Sequence, residues 1–575
     1  MKRLFISIIS AALFLCAQAG EFTTAYVLCA DGSAQSYEIE SLTDITFSAD
    51  NSYIHLNAAD GIKVTYPISY VESICFEEPS VKEPQTYTTD FDVAIDPADD
   101  TSYSYVTETV TMTETATNDY GDFIENFIED EEAKGTVTVT YSGTTASFTY
   151  NPSSLKNNVV AVSSGTSSDV VAYATKKVRF ILTGNTSDGS FKLYAAKKVR
   201  LTLNNVSIAN SDGGAIILPK VMVGATEYGG KTAYVEIADG TTNTLTDGTS
   251  YTYTTGEDMK GVLFSEGQLI FSGNGTLNVN ANFGHGIASD DYVRIRGGKH
   301  NPVINITTAS KDGIKVHDYV LMNGGTVSIN TADDGVDVSS GYIEMNAGKL
   351  TVNAVDEAVT TSYEEADASI TPNISIRGGL LKLTTTGEKA GALKSAGSFT
   401  QTGGIVQATV KGNGSKALDT EGSIVLMGGK FVAFAEGTPV YDSEEKDLKS
   451  SACVRCKGSM SLSGATVELK ATGDGAKGIN NVGTVNVTGG TITVVASGSR
   501  FTDSVSGEKS RARGVTSDVA INMSKGTLRV RATDDAVYTP LSLTFSGGAL
   551  HAFSSEGQSI QAASVEHTAG WLVTK

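Results

Sequence analysis

The sequence predicts an all-β protein: a right-handed parallel β-helix, or solenoid, preceded by a small N-terminal β domain. Three observations carry this. A Gly-Gly turn recurs at Gly297-Gly298, Gly324-Gly325, Gly378-Gly379, Gly403-Gly404, Gly428-Gly429, Gly489-Gly490 and Gly547-Gly548. A small residue followed by an aliphatic one recurs 11 residues before a glycine, at Ile287, Ile314, Leu393, Leu418, Ile479, Val515 and Val537, and 12 before it at Val336. Alternating runs such as Thr326-Val-Ser-Ile-Asn330 lie between these marks, and no helical periodicity does. Repeats of 22–27 residues made of short strands are the signature of a parallel β-helix. Leucine-rich repeats need a Leu-x-x-Leu-x-Leu core that is absent, and propeller blades need periods of roughly 40–50 residues.

Taken in chain order, residues 1–19 read as a secretory signal. Lys2-Arg3 is the charged start, Leu4 to Cys16 the apolar run, and Ala17-Gln18-Ala19 a small-x-small cleavage site. Leu15 before Cys16 argues against lipidation there. The run is too short to span a bilayer, and no later stretch approaches 18 apolar residues, so a secreted, periplasmic or cell-surface location is expected with no membrane span. Residues 20–79 read as a small separate β unit, with Tyr26-Val-Leu, Ile45-Thr-Phe and Tyr53-Ile-His-Leu divided by Asp-Gly turns. Residues 80–164 read as a linker bearing Pro84, followed by irregular strands that cap the rod, with an acidic solvated loop from Asp119 to Glu132. Residues 165–575 form the repeat. On the order of 16 coils, each rising about 4.8 Å, make a rod held by stacking rather than by a globular core. Extra residues after Val359 and Val440 and from Ser499 to Arg513 loop out without breaking the stack.

Composition bounds the partners. The 575 residues carry 65 acids against 43 bases, a net charge of −22 that repels nucleic acid and anionic membranes unless a cation intervenes. Beyond Cys16, four cysteines remain. In an oxidising compartment an even count suggests bridges, here Cys29–Cys75 and Cys453–Cys456. The second pair has no neighbouring His or further Cys-x-x-Cys to complete a zinc tetrad.

The repeat also organises charge. Two residues before the aliphatic mark the chain reads His285, Asp312, Asp334 and Glu357, and later Lys416, Lys477, Arg513 and Asp535. Stacking puts Asp312, Asp334 and Glu357 in one column, with Asp333, Asp356 and Asp337 beside it. A second in-register pair is Asp291 with Asp318. Like charges about 5 Å apart repel by roughly 3 kcal/mol at an effective dielectric near 20. Such a column shifts its pKa values or takes up a cation, and hard carboxylate oxygens on a turn suit Ca²⁺. The alternative is ordinary Asp-Gly turn chemistry, with Lys311 and Lys315 neutralising part of the column.

The segments Asn243-Thr-Leu-Thr-Asp-Gly-Thr-Ser-Tyr-Thr252, Gly284-His-Gly-Ile-Ala-Ser-Asp-Asp291, Lys311-Asp-Gly-Ile-Lys315 and Asp333-Asp-Gly-Val336 resemble a known family. It comprises secreted, pectate-lyase-like β-helical domains described as calcium-binding carbohydrate-binding proteins, with affinity for acidic sugars and cellulose. The resemblance covers roughly residues 165–556 and implies a metal role for Asp312 and Asp334. In the C-terminal half Glu388-Lys-Ala-Gly, Ser415-Lys-Ala-Leu and Ser510-Arg-Ala-Arg-Gly-Val depart from it, which confines the ion expectation to the earlier coils.

Three functions follow as expectations. The first is Ca²⁺-assisted binding of an acidic polysaccharide such as polygalacturonate, or of cellulose, with Lys315, Asp291 and Asp318 as further ligand contacts. Bound calcium bridges an acidic protein to substrate carboxylates. The second is a pectate-lyase-like β-elimination in which Lys315 or Lys311 is the base. The third is an adhesin or structural rod with no sugar ligand. Trp571 is the only tryptophan, so a cellulose platform would have to draw on the 23 tyrosines.

Overall fold

The computed structural model describes residues 22–30, 32–77, 88, 91–93, 133–163, 168–223, 226–363 and 371–575. The expected signal segment 1–19, most of the linker and the acidic stretch 119–132 lie outside the described residues. The fold is all-β: among the described residues the only helical turns are the 3-10 segments Ile39–Ser41 and Ser153–Asn157. The chain divides into two compact units, residues 101–422 and residues 1–100 with 423–575.

In the unit formed by residues 101–422 each repeat adds strands to two ladders. One ladder runs through Gly261–Ser265, His285–Ser289, Ile314–Val316, Val336–Val338, Val359–Thr361, Gly391–Ser395 and Lys416–Thr420, all parallel and in register. The aliphatic marks Leu263, Ile287, Ile314, Val336, Val359, Leu393 and Leu418 pair directly with one another, and all are buried. The other ladder stacks Tyr292–Ile295, Tyr319–Asn330 and Tyr342–Ala354, again parallel. At its start the stack is closed by antiparallel strands: Thr145–Asn151 on Thr136–Ser142, and Val159–Ser163 on Val170–Ala174.

The Gly-Gly turns have a steric cause. Gly325 has φ +75°, open to glycine without penalty, and a Cβ on Gly324 would lie 2.5 Å from the Cα of Gly297 one coil earlier. Gly335, before the mark Val336, is equally constrained, since a Cβ there would lie 2.3 Å from Val352 Cγ1.

The second unit repeats the pattern. Ala452–Cys456, Lys477–Asn481, Val515–Ser517, Val537–Tyr538 and Ile560–Gln561 form its parallel ladder. Residues 22–77 carry strands of their own, from Thr24–Cys29 to Val71–Cys75, and these join the second unit. Lys63–Pro67 pairs antiparallel with the last strand, Ser564–Thr574. Tyr53 donates its hydroxyl to the His567 carbonyl at 2.9 Å, and Val27, Ile54, Leu56 and Tyr66 share one core with Trp571 and Val573. The N-terminal segment therefore covers the terminal strand edge, as capping elements of repeat proteins do.

Neither expected disulfide forms; all four cysteines stand as thiols. Cys75 lies opposite Tyr26 and Cys29 opposite Val71, so the two are offset by several residues along paired strands. Cys453 and Cys456 sit three apart on one extended strand, about 10 Å along it. Both separations exceed the Cα reach of a disulfide, about 7 Å. Cys453 instead donates to the Ala433 carbonyl at 3.4 Å and Cys456 to that of Gly458 at 3.4 Å.

Candidate functional site

The acidic column is built by the ladder itself. Gly286 N–H donates to the Asp312 carbonyl at 3.0 Å, Gly313 N–H to Asp334 at 2.8 Å and Gly335 N–H to Glu357 at 2.8 Å. The three residues therefore occupy one position in successive coils, as their spacing predicts. Asp312, Asp337 and Glu357 are buried, so their charge is poorly solvated.

Their partners divide the cluster in two. Lys315 bonds Asp337 and lies 4.0 Å from Asp312, whose carboxylate is also 3.4 Å from His285 Nδ1. Asp312 N–H donates to that Nδ1 at 3.2 Å. Burial, then Lys311, Lys315 and Lys260, push the imidazole down to about 3, which keeps it neutral. On the other side Asp333, Asp334 and Asp356 each bring a carboxylate oxygen within 4.8 Å of the others. Asp334 also accepts the Glu357 N–H at 2.8 Å, and Glu357 bonds Lys394.

Burial and mutual repulsion raise Asp312, Asp334 and Asp356. Asp312 is pushed up to about 7 by burial and then by Asp337; Asp334 to about 9 by burial and then by Glu357. Asp356 rises to about 6 for the same two reasons, with Glu357 again the charge. Burial pulls the Lys394 ammonium down, but Glu357, Asp356 and Asp334 hold it above its ordinary value. Three carboxylates that each bring a hard oxygen within 4.8 Å of the others fit a divalent ion such as Ca²⁺, with Asp333, Asp334 and Asp356 as its nearest holders.

A cleft of about 350 Å³ opens beside the column. Asp334, Asp337, Glu357, Lys394, Asp419 and Glu421 line it, with Thr360 and Tyr363 among its other walls. Of the residues singled out in the sequence, Asp334, Asp337 and Glu357 reach this lining. Lys311 lies over the Phe283 ring, 5.8 Å from its centre. Asp291 and Asp318 are in register, the Asp318 N–H donating to the Asp291 carbonyl at 2.9 Å, but they do not line the cleft. Asp291 accepts from Gln268, and Asp318 pairs with His317 at 2.7 Å. They flank a stack of Tyr292, Tyr319 and Tyr342, whose ring centres are 4.5 and 4.9 Å apart.

Lys394, Thr360 and Asp419 were not singled out from the sequence, although the signal was there. One residue after each aliphatic mark the column reads Lys315, Asp337, Thr360, Lys394, Asp419, and these pair in register. Extending the column past Asp337 finds the cleft.

Comparison with known proteins adds to this geometry. A family described as "Carbohydrate-binding domain-containing protein" matches residues 166–482 and 475–558. A curated relative of the same description from Acetivibrio thermocellus is 30% identical over 128 residues, 22% of this chain and 42% of its own. The chain thus spans under half the length of that relative. A solved structure titled as a polysaccharide lyase-like protein from C. thermocellum, a gadolinium derivative, is 18% identical with a TM-score of 0.35, covering 51% of this chain and 96% of its own.

Proposed function

Because the chain belongs to the carbohydrate-binding domain family, we propose that it binds an acidic, polygalacturonate-like polysaccharide through Ca²⁺ held on the stacked carboxylates of the cleft. The stacked repeats of each unit are read as a right-handed parallel β-helix, the hand that crossover connections between parallel strands take in nearly all folds. The signal-like residues 1–19 send the protein out of the cytoplasm, where such polymers are met.

The observation that carries the reading is the cleft lining. Asp334, Asp337 and Glu357 share one wall with hydroxyls and Lys394. In a chain of net charge −22, an anionic sugar cannot approach this wall without a cation between them. Bound calcium would supply that bridge, holding protein oxygens on one side and leaving positions for a uronate carboxylate on the other. Lys394, half-exposed beside Glu357, would meet a second carboxylate, and Thr360 would hydrogen-bond ring hydroxyls. Crystalline cellulose fits less well, since Tyr363 is the single ring among the described lining residues.

Binding is favoured over β-elimination by the lysines. A base must be deprotonated and reach the sugar, yet Lys315 is drawn onto Asp337, Lys394 onto Glu357, and Lys311 lies over the Phe283 ring outside the cleft lining. A pull-down on polygalacturonate tests the reading. A calcium-dependent increment in retention, removed by chelator and by Asp334→Asn, and no unsaturated product are expected. Retention that ignores both calcium and Asp334→Asn, or release of a product absorbing in the near ultraviolet, would overturn it.

A further inference from the structure

The insertion between Ser499 and Arg513 is not needed for stacking, yet its own strand pair and backbone contacts anchor it. Phe501–Thr502 pairs antiparallel with Lys509–Ser510. The Ser510 hydroxyl donates to the Gly475 carbonyl at 2.8 Å, and the Gly475 N–H donates to the Ser499 carbonyl at 2.7 Å. A Cβ on Gly475 would lie 2.7 Å from Phe501 Cβ, so the hairpin rests on bare backbone.

What the hairpin presents is positive charge. Arg500 Nε lies 2.5 Å from Asp534 Oδ2, and Arg511 Nη1 lies 3.5 Å from Asp534 Oδ1. One carboxylate, 0% exposed, thus holds two guanidinium groups whose side chains are 53% and 49% exposed. Asp535 is taken by Arg513 at 2.9 Å, with that guanidinium lying over the Tyr538 ring, 3.6 Å from its centre. Arg511 is 3.9 Å from Asp535, too far to count as a second partner of equal weight. Two acids lie on the hairpin. Asp503 is turned onto its own loop, accepting from Ser506 N–H at 2.6 Å and Val505 N–H at 3.0 Å; Glu508 is exposed. The pair of arginines therefore carries one more positive charge than Asp534 neutralises, on half-exposed side chains, while the neighbouring Asp474 accepts the Ser499 N–H at 2.8 Å.

We propose that Arg500 and Arg511 form a clamp for an oxyanion on a polysaccharide, either a uronate carboxylate or a sulfate ester, and that this clamp needs no calcium. It mirrors the acidic column: there, stacked carboxylates call for a cation; here, a cation pair over one buried carboxylate calls for an anion. It rests on the polysaccharide reading for the polymer, but not on the cleft for its charge.

The experiment measures binding of the full chain to polygalacturonate, to dextran sulfate and to neutral dextran, all in chelator at low salt. The expected result is binding to one or both acidic polymers, which identifies the oxyanion, and none to dextran. Arg511→Gln should weaken it about ten-fold, because a charge-assisted fork is lost while Arg500 still pairs with Asp534. Failure of the cleft reading would remove only the calcium-dependent increment, so the two failures are distinct. Should Arg511→Gln not fold, Arg511→Lys keeps the charge and loses the fork, and weakened binding there supports the clamp. No chelator-resistant binding by folded protein, or unchanged affinity in the readable Arg511 variant, would overturn it.

Discussion

Asp334 shows what stacking does to one side chain. Burial and Glu357 raise its carboxyl to about 9, against roughly 3.9 for a free aspartate. A carboxyl raised on folding contributes stability below its unfolded pKa and loses it as pH rises through the folded value. In chelator, the melting temperature should therefore fall as pH rises from about 5 to about 9, and Asp334→Asn should flatten that slope. At alkaline pH the same variant should melt higher than wild type by about 1–2 kcal/mol equivalent, since solvent still reaches the group. Calcium should reverse the order, stabilising wild type and leaving the variant unmoved. Asp247 is the opposite case: a buried acid with every contact satisfied, accepting from Gly284 N–H at 2.9 Å and the Tyr251 hydroxyl at 2.7 Å. Asp247→Ala should cost about 3 kcal/mol in urea unfolding, because buried donors lose their acceptor. The motif around Asp247 was legible as a family mark, whereas its anchoring role depends on a loop from the next coil and was not.

Each coil is an element whose register is set by a few small residues. Gly335→Ala should destabilise by about 2–3 kcal/mol, measured by urea unfolding, because the added methyl meets Val352 and the Ala358 carbonyl. The same spacing that revealed these glycines revealed the carboxylate column, since both follow from a fixed step between stacked positions. Charge pairing across coils was harder to read. Lys394 meets Glu357 one coil earlier, although an insertion after Val359 separates them by 37 positions in sequence. Cysteine pairing was misread for a related reason: parity and compartment say nothing of strand register, and register keeps Cys29 from Cys75.

For the whole molecule, the terminal strand edge matters most. A ladder of parallel strands ends in open N–H and C=O groups, and residues 22–77 cover them at Ser564–Thr574. Removing residues 22–77 should lower stability and raise light scattering through edge-to-edge association. That contact joins segments about 500 positions apart in sequence, and no local pattern announces it. The charge of the molecule leads to the central claim, that its stacked carboxylates bind a divalent ion. Calorimetric titration of Ca²⁺ into chelator-stripped protein tests this most directly. Saturable binding with proton release, tighter at pH 8 than at pH 6 and abolished in Asp334→Asn, is predicted. No saturable heat at either pH, with an unchanged melting temperature, would contradict it.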